Sequence, residues 1–223
     1  VCNKVGGIHT VISTKVLSLA GEFKNNHILI GPDVWRYNEP NPEFTEDAHL
    51  FKSWRVKAAQ EGLRIKVGRW NVAGNPVAIL VDFTSFIPQK DQILTSFWEK
   101  FQVDSLTGQW DYIEPVLFGY TAGKVIESFV RYHISPRQRI IAQFHEWMTG
   151  SGMLYLKNAL PQVGCVFTTH ATVLGRSIAG NGLPLYDPMK DYNPVETAHR
   201  FGVDSKQSLE SKAAEWADCF TTV

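Results

Sequence analysis

Short apolar runs alternate with longer segments of helical periodicity along the whole chain, and this alternation is the feature that most constrains the fold. Six runs are typical of strands: 27–30, 63–70, 77–83, 140–144, 164–168 and 220–223. Helices are predicted over 8–19, 46–61, 110–133, 146–160 and 170–179, with a last helix capped by Asp204-Ser205. Such an alternation predicts an α/β protein with a Rossmann-like, mostly parallel sheet and helices on both of its faces.

Local signals refine this prediction in three places. The Gly74-Asn75-Pro76 turn predicts a hairpin between strands 63–70 and 77–83, an antiparallel addition to the sheet. The segment 84–109 is the least readable, and its apolar residues suggest a short helix packed through Phe86, Ile93, Phe97, Trp98 and Phe101. Segments 33–43 and 180–204 are predicted loops, and the last helix is expected to bury Leu209, Ala213 and Trp216.

The first residues predict an anion site at a helix start. Gly6 and Gly7 follow Lys4 and precede an apolar stripe made by Ile8, Val11, Ile12, Val16 and Leu19. Glycine lets a ligand approach the main-chain N–H groups, and a helix N-terminus with a neighbouring lysine favours a diphosphate or carboxylate. A plain connecting turn is the alternative.

Two more polar groups follow predicted strands. His145-Glu146 comes after strand 140–144, and His170 comes after strand 164–168. Ligands of parallel sheets bind at the carboxyl ends of the strands, so we expect these residues and Lys4-Gly7 to lie at one edge. A structural role for His145 is an open alternative. Cys165 with the two histidines matches no zinc spacing, and no metal site is predicted.

Composition excludes several classes of partner. Acidic and basic residues balance at 22 each, which argues against nucleic acid and anionic membranes. No apolar run reaches membrane-spanning length, and three scattered cysteines suit a reducing compartment, so a cytoplasmic protein is expected. The run from Gly119 to Lys124 is one residue short of a P-loop and falls inside a predicted helix, where it would serve packing.

Five stretches, in order from end to end, resemble the glycogen synthases of the animal and fungal type. They are Asn3–Ile8, Gly68–Trp70, Phe144–Trp147, Phe167–Arg176 and Phe220–Val223. The resemblance implies a GT-B fold, in which two Rossmann-like domains face a cleft. It also implies transfer of glucose from a sugar nucleotide, UDP-glucose above all, to an α-1,4-glucan with retention of configuration.

On this resemblance, residues 1–223 would form a single N-terminal, acceptor-side domain that lacks its opening strand. The second, nucleotide-binding domain would be absent from the chain, and the fragment alone would be inactive. A bacterial source is also expected.

The resemblance implies a role for each candidate site residue. Lys4, Gly6 and Gly7 would line the cleft near the donor diphosphate. His170 would reach the donor glucose, and Arg176 would offset charge on the leaving phosphates. Glu146 would contact an acceptor or support the strand end, with His145 beside it. His9 stands where many members have tyrosine, so details of the first turn are open.

The implied partners are a sugar-nucleotide donor, a glycogen or α-glucan acceptor and the absent C-terminal domain. No cofactor is expected, because the sugar nucleotide is a substrate, and assembly into a homo-oligomer is left open. Two alternatives are a non-catalytic nucleotide- or glucan-binding module and a GT-B glycosyltransferase with a different acceptor. A dinucleotide oxidoreductase is disfavoured, because no Gly-x-Gly-x-x-Gly follows a strand.

Overall fold

The structure is a computed structural model that describes residues 1–4, 6–35, 40–135 and 137–223. Val5 of the first motif, residues 36–39 of the predicted 33–43 loop and Pro136 after the long helix lie outside this part of the chain. The predicted α/β class with parallel strand pairing is confirmed. The chain divides into two compact units, residues 1–85 with 128–133, and residues 86–127 with 134–223.

The first unit is a mixed sheet with two helices. Its elements are α1 (Gly6–Phe23), β1 (Ile28–Pro32), β2 (Phe44–Glu46), α2 (Lys52–Gln60), β3 (Arg64–Trp70) and β4 (Val77–Asp82). The strand order is β1-β4-β3-β2, with β1 parallel to β4 and the other two pairs antiparallel. The predicted hairpin is therefore confirmed, with Ile65 opposite Val81 in its register.

The apolar stripe of α1 packs on the core of the first unit. Val16 is fully buried and belongs to a cluster with Cys2, Trp70, Ala78 and Leu80, against which Ile12 also packs. Burial of these side chains fixes α1 on the sheet and so fixes where its first turn, with Gly6 and Gly7, emerges.

The second unit contains a three-stranded parallel sheet and most of the helices. Its elements are α3 (Lys90–Phe101), α4 (Trp110–His133), β5 (Ile141–His145), α5 (Trp147–Ala159), β6 (Gly164–Thr169), α6 (Val173–Gly180), α7 (Pro194–Phe201), α8 (Asp204–Trp216) and β7 (Cys219–Thr222). The last six residues of α4 belong to the first unit. The strand order is β5-β6-β7, so β5 and β6 end at the same edge.

Small residues bring α4 and α5 into close contact. A Cβ added to Gly152 would lie 2.3 Å from the Gly119 carbonyl oxygen, and one added to Gly123 would lie 2.9 Å from the Gly152 carbonyl oxygen. Ser151 Oγ donates a 2.8 Å hydrogen bond to the Val116 carbonyl. The glycines near Lys124 therefore serve helix packing, which confirms that this near-match to a P-loop is structural.

Several boundaries differ from the prediction. The predicted helix 46–61 is shorter in the structure, where α2 begins at Lys52 and the preceding strand β2 ends at Glu46. The predicted loop 180–204 contains α7. Asp204 and Ser205 lie inside α8, whose N-cap is Val203 without a side-chain cap. Of the aromatic residues predicted to be buried, Trp98 is 48% exposed and Trp216 is 43% exposed. Within the described ranges, no helix is long and apolar enough to cross a membrane.

Candidate active site

The carboxyl ends of β5 and β6 bring two histidines into contact. His145 is the last residue of β5 and pairs with Thr168 across the sheet, and His170 follows two residues later. The His145 Nδ1 and His170 Nε2 atoms lie 3.0 Å apart, and both rings are partly buried. Two neutral imidazoles can share only one proton at this contact, so each ring determines the tautomer of the other.

Glu146 holds the main chain of the segment that carries His170. Glu146 is 3% exposed, and its Oε1 accepts hydrogen bonds from the amides of His170, at 2.8 Å, and Ala171, at 3.2 Å. Its own amide donates to the Thr168 carbonyl at 2.8 Å. Glu146 has φ +67, a value that is costly for a residue with a Cβ. Of its two expected roles, this geometry fits support of the strand end.

The next residues form the capped start of α6. Thr172 is the N-cap, and its Oγ1 accepts a 3.1 Å hydrogen bond from the Gly175 amide. Arg176 follows on the exposed side of this helix. The segment that carries both proposed catalytic side chains is thus short and is tied down at several main-chain groups.

Glu210 is a further acidic residue at this segment, and the sequence did not indicate it. It lies in α8, is 8% exposed, and its Oε2 accepts a 2.9 Å hydrogen bond from the Val173 amide. Burial raises the pKa of the Glu210 carboxyl to about 7. The Val173 hydrogen bond opposes this rise in pKa, the charge of Glu146 adds to it and the charge of Arg176 opposes it.

The start of α1 is exposed, as the predicted anion site requires. Lys4, Gly6 and Gly7 are exposed, and nothing lies within 4 Å of a Cβ added to either glycine. Gly6 has φ +71, which glycine adopts without strain. Asn3 anchors this segment, because its Nδ2 donates to the Pro32 carbonyl at the carboxyl end of β1.

A partly buried network supports the first turn of α1. Glu43 Oε2 lies 3.0 Å from His9 Nε2 and accepts a 3.3 Å hydrogen bond from Trp70 Nε1. The His9 ring also meets the Trp70 ring edge-on, with centroids 5.3 Å apart. His9 thus links the first turn of α1 to the end of β3.

The candidate site residues are divided between the two compact units. His145, Glu146, His170 and Arg176 lie in the second unit, and Lys4, Gly6 and Gly7 lie in the first. That the two sets line one cleft therefore stays a prediction. Among the described residues no group of three or more His, Cys, Asp or Glu side chains could hold a metal ion, and Cys165 is buried in β6.

Comparison with known proteins decides the family. The glycogen synthase family model matches residues 1–223, which is the whole chain. The chain belongs to the glycogen synthase family.

Relatives of known name agree with this assignment. Glycogen (starch) synthase of Dictyostelium discoideum is 31% identical over 231 residues, covering 100% of this chain and 25% of the relative. Glycogen (starch) synthase isoform 2 of Saccharomyces cerevisiae is 28% identical, covering 100% of this chain and 33% of the relative. The liver glycogen (starch) synthase of Rattus norvegicus is 30% identical, covering 100% of this chain and 32% of the relative. The chain thus spans about a quarter to a third of the length of these relatives. The relatives do not support the expected bacterial source.

Proposed function

We propose that this chain is the acceptor-side part of a retaining glucosyltransferase that extends an α-1,4-glucan from a sugar nucleotide. Membership of the glycogen synthase family over all 223 residues carries the proposal. The donor is UDP-glucose, and the acceptor is the non-reducing end of glycogen. We also propose that the protein acts in the cytoplasm. Residues 1–223 would form a single N-terminal domain of it.

The chemistry assigns separate tasks to the candidate residues. Breaking the bond between glucose and phosphate builds negative charge on the leaving diphosphate, which preorganised cations and N–H groups stabilise. Arg176 supplies a cation, and Lys4 with the exposed start of α1 at Gly6 and Gly7 supplies a second positive region. This arrangement requires neither a metal nor a cofactor.

The two histidines act at the glucose. His170 reaches the donor sugar and shields the reacting carbon. His145 contributes to substrate binding through its hydrogen bond to His170, which fixes the imidazole that faces the sugar. Glu146 holds the main chain on which His170 sits.

A catalytic His170 is tested in the full-length protein. We expect His170→Ala to lower kcat by about 100-fold while the KM for UDP-glucose changes little, as for loss of a group that acts on the transition state. His199→Ala is the matched control, because His199 is exposed in α7 of the same unit. Near-normal turnover by His170→Ala would refute the role of His170.

Acceptor choice separates the proposal from its alternatives. Glucose transfer to glycogen but not to small sugars supports a glycogen synthase, and the reverse supports a glycosyltransferase with a different acceptor. Binding of UDP-glucose or glycogen without any transfer by the full-length protein would leave a non-catalytic binding module.

A further inference from the structure

Two buried glutamates from different elements accept hydrogen bonds from three main-chain amides of the segment 170–173. Glu146, between β5 and α5, accepts from the His170 and Ala171 amides. Glu210, in α8, accepts from the Val173 amide, the first helical amide of α6. Amides at a helix start have no partner within the helix, so an outside acceptor fixes their position.

The position of Glu210 is itself fixed by packing. Helix α8 packs against α5, where a Cβ added to Gly150 would lie 3.1 Å from Ala213 Cβ and 3.3 Å from Leu209 Cγ. Leu209 and Ala213 flank Glu210 on this helix and are fully or almost fully buried. This close packing holds α8 in place against α5, and it thereby holds the backbone that carries Glu210.

The second carboxylate oxygen of Glu210 is unusual. Oε1 is buried, and it has no hydrogen-bond partner among the residues that the structure describes. The charged groups that act on the carboxyl are Glu146 and Arg176. A proton on Oε1 would leave Oε2 free to accept from Val173, but it would remove the charge that strengthens that hydrogen bond.

We propose that Glu210 is a positioning residue, which ties the His170–Arg176 segment to α8 through the Val173 amide. It acts through the main chain and does not touch substrate. The kinetic part of this inference rests on the proposed function, and the structural part does not.

The structural test is hydrogen exchange of the full-length protein, read by mass spectrometry on peptides that cover 169–177. In Glu210→Ala we expect these amides to exchange about tenfold or more faster, as for loss of a hydrogen bond to a charged acceptor. Glu210→Gln keeps an acceptor oxygen and should restore most of the protection. Glu215→Ala is the control, because Glu215 is an exposed residue of the same helix.

A pH series distinguishes positioning from general stabilisation. A local opening of this segment breaks the Val173 hydrogen bond while Glu210 stays buried in α8, and that hydrogen bond favours the ionised carboxylate. In the wild type, protection of 169–177 corrected for intrinsic exchange should therefore rise between pH 6 and pH 8, where Glu210 ionises. Global unfolding, which exposes Glu210 to water, has the opposite pH dependence. In Glu210→Gln this pH dependence should be lost. If Glu210→Ala does not fold, the comparison of wild type with Glu210→Gln across this pH range tests the proposal by itself. An unchanged pH dependence in Glu210→Gln, or wild-type exchange in Glu210→Ala, would overturn the proposal.

Steady-state kinetics of the wild type and the two Glu210 variants provide a third test of the proposal. We expect Glu210→Ala to lower kcat about tenfold or more with little change in the KM for UDP-glucose, because displaced reacting groups slow turnover. Glu210→Gln should recover most of this loss at pH 7. A wild type that transfers no glucose would refute the proposed function, while the exchange data would still decide on Glu210.

Discussion

At the scale of single residues, the contact between His145 and His170 is the most specific feature of the candidate active site. The 3.0 Å separation of Nδ1 and Nε2 requires one ring to donate and the other to accept. Protonation of both rings would place two N–H groups against each other. The pair can therefore keep its contact with at most one positive charge.

We predict that His145→Ala lowers kcat of the full-length protein by about tenfold, the cost of one hydrogen bond that orients a catalytic group. The loss should be smaller than that of His170→Ala, since His170 itself remains. The measurement is glucose transfer to glycogen under saturating donor. Equal losses in the two variants would mean that His145 acts on the substrate directly.

Glu210 gives a prediction about stability. Its pKa is raised to about 7 in the folded chain from an ordinary value of 4.5, so the folded state holds the proton more tightly. The resulting stabilisation is complete below pH 4.5 and is lost as the pH rises through 7. The glutamine of Glu210→Gln cannot ionise, so the variant does not lose this stabilisation as the pH rises.

The measurement is urea unfolding of the 223-residue chain and its Glu210→Gln variant at pH 5 and pH 8. The free energy of unfolding of the variant, relative to the wild type, should be higher at pH 8 than at pH 5 by up to roughly 3 kcal/mol. Glu215→Gln is the control and should show no such change. A constant difference between Glu210→Gln and wild type would contradict a raised pKa.

At the scale of elements, the contact between α4 and α5 depends on the absence of side chains at three glycines. A Cβ on Gly152 would lie 2.3 Å from a backbone oxygen of Gly119, so the helices would have to separate. We predict that Gly152→Ala destabilises the chain by about 1–3 kcal/mol, the usual cost of overpacking. Thermal or urea unfolding measures it.

Gly21→Ala is the matched control for this prediction. Gly21 lies inside α1, and nothing lies within 4 Å of an added Cβ. Alanine favours a helix interior over glycine by about 1 kcal/mol, so this variant should be neutral or more stable. If Gly152→Ala and Gly21→Ala destabilised the chain equally, the loss of stability in Gly152→Ala could not be attributed to the α4–α5 contact.

Most elements could be predicted from the sequence, but two short ones, β2 and α7, could not. The bounds of α4 agree with the prediction because a 24-residue apolar pattern allows few other structures. Strand β2 has three residues, too few to show a period, and it forms only through its antiparallel pairing with β3. Helix α7 was hidden by the prolines around it, although Pro194 at its start suits a first helical turn.

The candidate site also contains residues that the sequence could predict and one that it could not. His145 and His170 could be placed together because parallel strands end at one edge. Glu210 could not, since a glutamate on a helix is normally exposed, and only tertiary packing turns it toward the Val173 amide. Hydrogen bonds between residues 37 positions apart, as here, leave no local signal in a single sequence.

At the scale of the whole molecule, we expect the proposed charges alone to be insufficient for catalysis. Lys4 and Arg176 are the cations assigned to the leaving diphosphate, while the family resemblance assigns the nucleotide to a second domain. Without that domain the donor would lose most of its binding interactions, and the reacting groups would be open to water. Transition-state stabilisation depends on preorganised groups in a water-excluded site, and on this proposal the second domain is needed to complete that site.

We therefore predict that the 223-residue chain alone transfers no measurable glucose from UDP-glucose to glycogen, whereas the full-length protein does. The measurement is incorporation of radiolabelled glucose into glycogen at equal molar amounts of the two proteins. A folded state of the chain, shown by a cooperative unfolding transition, is the control that makes a negative result meaningful. Robust incorporation by the folded chain would mean that residues 1–223 bind and activate the donor unaided, and the assignment of the nucleotide to a second domain would be wrong.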